Sequence, residues 1–466
     1  MTSLAQTVDV YTVPSGWRRL FAFVGPALLV SVGYMDPGNW ATDLEGGARF
    51  GYQLLWVLAV SNLIALLLQS LAARLGIVAG TDLARATRDH YSRPVAVALW
   101  LLAEIAIIAC DLAEVIGSAV ALQLLFGIPL VWGALITGFD VLLILVLQHY
   151  GARRIEAVIA ALVLTIGACF AFELLLARPD WGQVASGFAP HLDARSLYVA
   201  IGILGATVMP HNLYLHSALV STRAIGATAA AKREALRYNR IDTLIALNIA
   251  FFVNAGILVL AAAAFHSRGI AVDELAQAHE LLAPLLGTGL ASVAFALALL
   301  AAGQSSTITG TLAGQVVMEG FLNLRLSPVL QRLVTRGLAL IPAVAVLAIH
   351  GKEGVLPLLV LSQVALSIQL PFAVIPLVRF AGSRRILGAL AAPAWMRALA
   401  WIATVFIVAL NTWLVTRVLA GWGAWASALA AACGALLVWI AVTPLRRPLP
   451  PSASRYPKMP FDAAAI

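Results

Sequence analysis

The sequence is divided into apolar segments of about twenty residues or more, separated by short polar connections. A helix of about 20 residues is long enough to cross the roughly 30 Å hydrocarbon core of a bilayer. We delimit twelve such segments, at residues 19–43, 53–77, 95–124, 129–148, 155–177, 196–221, 241–265, 285–322, 329–350, 355–378, 397–417 and 421–443. Hydrophobic residues make up 61% of the chain and charged residues only 11%, which excludes a soluble globular domain. The sequence therefore predicts an all-α integral membrane protein.

The distribution of basic residues tests this division independently. Cytoplasmic connections of membrane proteins carry most of the lysine and arginine. With the N-terminus inside, 24 of the 30 basic residues fall on the inner side, and a missed early helix would mix the two sides. We therefore expect residues 1–18 and the tail 444–466 to be cytoplasmic, in a multi-pass protein of the inner (plasma) membrane of the cell. This topology accounts for the net charge of +8, so nucleic acid is not expected as a partner.

Two of the apolar segments, the first and the sixth, are interrupted in the same way near their middles. The first reads GYMDPGN from Gly33 to Asn39, and the sixth reads GATVMPHN from Gly205 to Asn212. Proline removes a backbone donor and clashes with the preceding turn, so each helix should be split there. Two unrelated proline kinks are the alternative. The carboxylate of Asp36 argues against it, because a charge near the centre of a bilayer is costly without a functional partner.

The two interruptions lie five helices apart, so the second copy enters the membrane from the opposite side. This spacing is typical of an inverted repeat of five plus five helices, as in LeuT-like transporters, whose substrate binds at the two broken helices. We predict a first repeat at residues 19–177, a second inverted repeat at 196–378 and two additional helices at 397–443.

The side chains at the interruptions form a chemically consistent set of metal ligands. Asp36 supplies an anionic oxygen, Asn39 a neutral oxygen and Met209 a thioether sulfur. Backbone carbonyls freed by the breaks, at Ala206 and Gly33, can add to them. Mg²⁺ and Ca²⁺ prefer cages of oxygen, whereas sulfur favours transition metals. Asp36 should also exchange protons, because loss of its proton helps a metal to bind. For Met209, the alternative to a metal ligand is packing in the core.

These motifs resemble those of the Nramp divalent-metal transporters, and the resemblance extends along nearly the whole chain. It rests on DPGN at Asp36–Asn39, MPH at Met209–His211 and the eighth-helix signature GQSSTITGTLAGQVVMEG at 303–320. The resemblance implies a LeuT-like secondary transporter that imports Mn²⁺ and Fe²⁺ with protons by alternating access, and tolerates Co²⁺, Cd²⁺ and Zn²⁺. It also implies that Gln363 closes over the metal. Positions that gate the outer vestibule of the family match Thr207, Asn254 and Asn411. For each of these residues, and for Gln363, a hydrogen bond to a neighbouring helix is the alternative.

Three carboxylates recur on the third predicted helix, at Glu104, Asp111 and Glu114. Their spacings of seven and three residues place them on one helical face. Contact of that face with lipid would be very costly, so we expect a polar passage or basic partners there. Arg332 and Arg336 of the ninth predicted helix, four residues apart, are the candidate partners.

The resemblance implies that Asp111, Glu114 and Arg332 line a proton route leading away from the metal, with His211 beside it. His216 is a further candidate for this route, and a hydrogen-bonded packing role is its alternative. For the carboxylates as a group, the alternative is a buried salt network that only fixes the packing of the helices.

Some polar and sulfur-bearing residues receive no functional assignment. Cys110, Cys169 and Cys433 lie in apolar segments without CxxC spacing, so we expect packing residues rather than disulfides or zinc ligands. Asp140 and Glu173 also lie within apolar segments, and the sequence suggests no role for them.

The sequence contains no nucleotide-binding motif, Cys/His cluster or soluble catalytic segment, so ATP-driven transport is not expected. We expect a transporter that is not an enzyme, with no resident cofactor and no obligatory protein partner. Its partners would be divalent metal ions, protons and the lipid bilayer. Two alternatives stay open. A Na⁺-coupled symporter of amino acids could share the fold, although its broken helices would offer small residues and backbone instead of acid, amide and thioether. A metal channel or receptor could share the ligands, although paired inverted breaks favour alternating access.

Overall fold

The computed structural model describes residues 8–10, 16–139, 151–193, 195–270, 272, 275–322, 328–419 and 424–445. Up to residue 207 the helices are α1 (Trp17–Phe23), α2 (Pro26–Ser31), α3 (Pro37–Phe50), α4 (Leu55–Ala79), α5 (Leu83–His90), α6 (Arg93–Phe126), α7 (Leu130–Gly138), α8 (Ala152–Ala177), α9 (Trp181–Ser186) and α10 (Ser196–Thr207). After it they are α11 (Pro210–Leu219), α12 (Ala229–Ala264), α13 (Leu275–Leu286), α14 (Gly289–Leu322), α15 (Pro328–His350), α16 (Val355–Gly382), α17 (Arg384–Leu387), α18 (Ala394–Leu419) and α19 (Ala424–Val442). The described residues form no β-strand, which confirms the all-α class.

The described helices include enough membrane-length segments for a multi-pass protein. Nine spans are long and apolar enough to cross a bilayer, or ten when the bent pair at the start of the chain is counted as one, within the described residues. Two of the twelve predicted segments, 129–148 and 421–443, lie partly outside those residues. The total of twelve and the boundaries of the two repeats therefore stay predictions.

Both predicted helix breaks are present. A 3-10 turn, Val32–Met35, extends α2, and Asp36 is then extended (φ −68°, ψ 163°) before α3 begins at Pro37. Met209 is likewise extended (φ −77°, ψ 122°) between α10 and α11, which begins at Pro210. Each proline occupies the first position of its helix, where the missing N–H would have had no partner within the helix. The prediction of a break in the first and sixth helices is confirmed.

Two glycines introduce further breaks that the hydropathy pattern did not predict. Gly25 (φ 140°) separates α1 from α2, and the two helices differ in direction by 44°. Gly287 (φ 76°) separates α13 from α14. Glycine adopts positive φ without the steric cost that a Cβ would impose. The predicted segment 19–43 therefore contains a bend that the prediction lacked, because hydropathy does not report backbone direction, whereas Gly287 lies at the start of the predicted segment 285–322 and leaves its helix continuous.

The start of α2 is tied to α8 and α12 by buried charged groups. Arg223 donates to the carbonyl of Val24 at 2.7 Å and to Oε1 of Glu156, on α8, at 2.8 Å. Asp242, on α12, accepts the N–H of Ala27 at 3.0 Å. Asp242 thereby satisfies a backbone donor that the start of the helix leaves free. The first half of the broken first helix is therefore held against two neighbours.

Helix α6, which carries the three carboxylates, packs closely against both the first break and α14. A Cβ added to Gly117 of α6 would lie 2.2 Å from Pro37 Cγ. A Cβ added to Gly303 of α14 would lie 2.2 Å from Ser118 Oγ. Small residues allow helix backbones in membrane proteins to approach this closely. The carboxylate-bearing helix is thereby placed beside the helix break.

Candidate metal centre

The two helix breaks meet at Asn39. Its Nδ2 donates to Asp36 Oδ1 at 2.6 Å and to the carbonyl oxygen of Ala206 at 3.1 Å. Its backbone N–H donates to the same Oδ1 at 2.9 Å, so Asp36 also caps the start of α3. One amide side chain therefore holds the carboxylate of the first break against the carbonyl of the second.

Three buried oxygen atoms at this junction have no hydrogen-bond partner. They are Asp36 Oδ2, Asn39 Oδ1 and Gln363 Oε1. The exposed fractions of these residues are 0%, 1% and 4%. Because buried polar atoms in folded proteins are nearly always paired, such a group of oxygens is suited to a ligand that supplies positive charge. A dehydrated cation is such a ligand.

Gln363 of α16 lies directly over the first turn of α3. A Cβ added to Gly38 would be 1.7 Å from Gln363 Nε2 and 3.0 Å from Asp36 Oδ2. Only glycine permits this approach, and the amide of Gln363 is consequently next to the carboxylate. The placement agrees with the role that the sequence suggests for Gln363, which stays a prediction.

Met209 is fully buried and packs in a small cluster with Ala106 and Cys110 of α6 and Leu366 of α16. Its thioether is thus held among the helices that surround the junction, on the residue that directly precedes α11. The environment is compatible both with a sulfur ligand and with the packing alternative.

Gly33 lies against α11, since a Cβ added to it would be 2.3 Å from Asn212 Nδ2. Both polar atoms of the Asn212 side chain are buried without a partner. Asn212 was not among the predicted site residues. A signal was present, because an asparagine follows the proline by two residues in each interrupted helix, at Asn39 and Asn212.

The junction differs from an ordinary cluster of ionisable ligands. No group of three or more His, Cys, Asp or Glu side chains among the described residues is arranged to hold a metal ion. The junction instead combines one carboxylate, neutral oxygens and a thioether. A set that contains sulfur suits Mn²⁺, Fe²⁺ or softer ions better than Mg²⁺, which prefers oxygen and retains its water.

Beyond the junction, Asp111 and Glu114 of α6 are buried in different surroundings. Asp111 forms an ion pair with Arg336 of α15, and Arg336 Nη2 also donates to the carbonyl of Thr137 at 2.8 Å. Glu114 Oε2 has no partner, and its carboxylate lies against Gly310 of α14. Of the two candidate arginines, Arg336 is therefore paired with a carboxylate of α6, that of Asp111. The side chain of Arg332 lies outside the described part of the chain.

Cys110 connects the junction with the carboxylates. Its Sγ lies 3.5 Å from Glu114 Oε1 and 3.8 Å from His211 Nε2, while the cysteine also packs with Met209. These contacts to ionisable side chains go beyond the packing role predicted for Cys110. The spacing of four residues between Cys110 and Glu114 was the available signal, since such residues are neighbours on a helix.

The two remaining candidates for the proton route lie elsewhere. Glu104 accepts a hydrogen bond from Trp100 Nε1 at 2.9 Å on its own helix. His216 Nδ1 lies 3.0 Å from Gln69 Oε1, and Gln69 Nε2 donates to the hydroxyl of Tyr34 at 2.8 Å. The chain of hydrogen bonds from His216 thus joins α11 to α4 and to the 3-10 turn before Asp36, which favours its packing alternative.

Of the three candidate gating residues, Asn254 contacts the broken helix. Its Nδ2 donates to the carbonyl of Tyr34 at 2.7 Å. Thr207 and Asn411 donate to carbonyls of their own helices, at 2.6 and 3.0 Å. Glu173 is fully buried with both carboxylate oxygens unpaired, a feature for which we have no physical account. Asp140 lies outside the described residues.

Comparison with known proteins gives one consistent result. The family model described as natural resistance-associated macrophage protein-like (Nramp) matches residues 27–417. A protein of Xanthomonas campestris named divalent metal cation transporter MntH is 58% identical over 407 residues, which cover 86% of this chain and 92% of the relative. A protein of the same name from Nostoc is 54% identical over 422 residues, 90% of this chain and 96% of the relative.

Solved structures agree with the sequence relatives. A manganese transporter of Eremococcus coleocola superposes with a TM-score of 0.87 at 38% identity, covering 94% of this chain and 97% of that one. Mhp1, a nucleobase-cation-symport-1 family transporter, superposes with a TM-score of 0.60 at 18% identity, covering 94% of this chain and 93% of its own. The second likeness concerns the fold alone, and it supports the predicted LeuT-like class.

Proposed function

Because the chain belongs to the Nramp family of divalent metal cation transporters, we propose that it imports Mn²⁺ and Fe²⁺ together with protons by alternating access. As a member of a transporter family it is not an enzyme. The transported metal ion is its substrate, and no resident cofactor is required. We place the protein in the inner (plasma) membrane with both termini in the cytoplasm, as the distribution of basic residues indicates.

One observation carries the metal assignment. At the meeting point of the two helix breaks, oxygens of Asp36, Asn39 and Gln363 are buried without partners. Ala206 presents its carbonyl to the same amide that holds Asp36. Met209 supplies the sulfur that favours transition metals over Mg²⁺ and Ca²⁺. Such broken helices form the substrate sites of transporters with inverted repeats.

Proton movement follows the groups that lead from this junction into α6. A proton released from Asp36 when the metal binds would reach Glu114 by way of His211 and Cys110, which are in contact with each other. Asp111, held by Arg336, continues the series. The proton would then leave the junction through α6, by a route that differs from the route of the metal ion.

Replacing Glu114 by Gln tests the proton route. The expected result is a severalfold loss of Mn²⁺-driven proton influx with almost unchanged Mn²⁺ binding, because the amide fills the same volume but does not take up a proton. Internal acidification of proteoliposomes and calorimetric Mn²⁺ titration measure the two quantities. An equal loss of both would indicate that Glu114 belongs to a network that only fixes helix packing.

Cys110 allows a finer test of the same route. Cys110→Ala removes the thiol between His211 and Glu114, whereas Cys110→Ser keeps a small donor in its place. We expect the number of protons moved per Mn²⁺ to fall in the alanine variant and to be largely preserved in the serine variant. If the two variants transport protons equally well, Cys110 contributes packing alone.

Two features on opposite sides of the junction support alternating access. On one side the start of α2 is tied to α8 and α12 through Arg223 and Asp242. On the other side a small cavity between α3, α10, α16 and α18 is lined by Gln363. A site that is closed by ion pairs on one side and reached by a cavity on the other suits a carrier better than an open pore.

Flux measurements separate the proposed function from its alternatives. Reconstituted protein should take up Mn²⁺ with saturation and acidify the vesicle interior, while Ca²⁺ and amino acids are not transported. Na⁺-dependent uptake of an amino acid would instead identify a symporter of organic solutes. Mn²⁺ flux without saturation and without accumulation against a gradient would identify a channel.

A further inference from the structure

The cavity beside Gln363 extends away from the metal centre along the second half of the broken first helix. Its lining includes Thr42 and Glu45 of α3, Tyr198 of α10 and Ser367 of α16. Gln363 belongs both to this lining and to the junction, where its amide lies against Gly38. The inner end of the cavity therefore reaches the metal centre itself.

Glu45 occupies a particular position in this region. It also lines a second, smaller cavity, together with apolar residues that include Leu275 of α13 and Leu359 of α16. Among the described residues lining either cavity, Glu45 is the one that carries a charge. A carboxylate between two partly apolar cavities concentrates the electric field that a diffusing cation meets.

Several residues with oxygen-bearing side chains lie between Glu45 and the junction. Thr42 and Ser367, which both carry a hydroxyl group, are among the residues that line the cavity, and Gln363 Oε1 is buried without a hydrogen-bond partner. Hydroxyl, amide and carboxylate oxygens are ligands suited to a divalent cation that still keeps part of its water. Sulfur enters only at the junction, through Met209.

Glu45 is held by a competing cation of the protein itself. Arg49 Nη1 lies 2.9 Å from Glu45 Oε1, one turn further along α3, and the Arg49 side chain is 48% exposed. Exposed pairs at this spacing are weak, because water screens the charges and the long side chain loses freedom. A divalent cation can therefore displace the guanidinium into solvent.

We propose that Glu45 is an outer capture site, at which a partly hydrated divalent cation replaces Arg49 before it passes Thr42, Ser367 and Gln363 to reach the metal centre. This inference rests on the proposed function and names a second cation site for the same transport. The capture site concentrates divalent cations, whereas discrimination between them belongs to the junction that contains Met209.

Initial rates of Mn²⁺ uptake into proteoliposomes test the capture site. At low ionic strength, Glu45→Gln should raise the KM for Mn²⁺ about three- to tenfold with an unchanged maximal rate, because a cation is attracted less strongly to the cavity. The difference should shrink at about 0.3 M salt, where exposed charges are largely screened. Arg49→Gln should lower the KM, since the competing guanidinium is removed.

Asp180→Asn is the matched control. Asp180 is an exposed cap of α9, which lies beside the turn that follows α3, and asparagine caps a helix as well as aspartate does. The Asp180→Asn substitution removes one negative charge at the end of the molecule where α3 ends, and Asp180 does not line the cavity. A KM in Glu45→Gln no higher than in wild type or in Asp180→Asn would overturn the capture site, and a KM in Arg49→Gln at or above the wild-type value would overturn the displacement step. If wild-type protein takes up no Mn²⁺, the proposed function fails instead.

Discussion

Replacement of Asp36 by Asn is expected to lower Mn²⁺ uptake by about a hundredfold or more. Asp36 is the carboxylate at the meeting point of the two helix breaks, and one of its oxygens is buried without a partner. Removal of the charge that faces a buried cation costs about 3–5 kcal/mol, and each 1.4 kcal/mol corresponds to about tenfold in affinity. Binding and uptake should therefore fall together.

The substitution leaves the fold largely undisturbed. Asp36 caps α3 by accepting the N–H of Asn39, and asparagine is an equally good helix cap. Calorimetric Mn²⁺ titration and initial uptake rates measure the effect, with Asp180→Asn as the same change at another helix cap. Uptake at the wild-type level in the Asp36 variant would place the metal elsewhere in the molecule.

Replacement of Met209 by Ala is expected to remove most of the discrimination between Mn²⁺ and Ca²⁺. The oxygens of Asp36 and Asn39 stay in place, and water can occupy the space of the thioether. Ca²⁺ loses nothing in this exchange, whereas Mn²⁺ and, to a greater extent, Cd²⁺ lose a bond that water replaces poorly. We expect Mn²⁺ affinity to fall by about tenfold, or about 1.4 kcal/mol, and Ca²⁺ to become a competitor.

Met209→Leu separates the ligand from the packing residue. Leucine restores most of the buried volume among Ala106, Cys110 and Leu366 but supplies no sulfur. A large-to-small change in a packed core costs stability through the cavity it leaves, so leucine should rescue a residue that only packs. Uptake of Mn²⁺ and Cd²⁺ with excess Ca²⁺ measures the selectivity. Equal exclusion of Ca²⁺ by wild type, Met209→Ala and Met209→Leu would show that the geometry of the cavity is the filter.

Residues near one another in the chain carried enough information to locate the centre. The order Asp36-Pro37 and Met209-Pro210 fixes where each helix breaks, because proline can begin a helix but interrupts one that is already formed. The same local sequence placed an acid, an amide and a thioether at the breaks. Hydropathy located most of the described helices within a few residues, since lipid exposure and buried packing both require apolar segments of fixed minimum length. It placed the start of α12 at residue 241, whereas the helix begins at Ala229, and it ended the first segment at residue 43, whereas α3 continues to Phe50.

Local sequence could not predict which side chains on different helices contact each other. Helical spacing placed Asp111 and Glu114 on one face, but the rotation of α6 against α15 decided that Asp111 pairs with Arg336 and that Glu114 does not. The contact of Cys110 with His211 joins residues 101 positions apart. Similar spacing patterns are compatible with several helix rotations, and only close packing selects one of them.

The sequence by itself determined the membrane class, the two broken helices and the residue types at the candidate metal centre, because each depends on properties that act within about one helix. Only the tertiary structure decided that Asn39 holds Asp36 against the carbonyl of Ala206, and that Gln363 lies over Gly38. These contacts depend on how separate helices approach and rotate. That is set by the sum of side-chain volumes across the whole bundle, which no single segment contains.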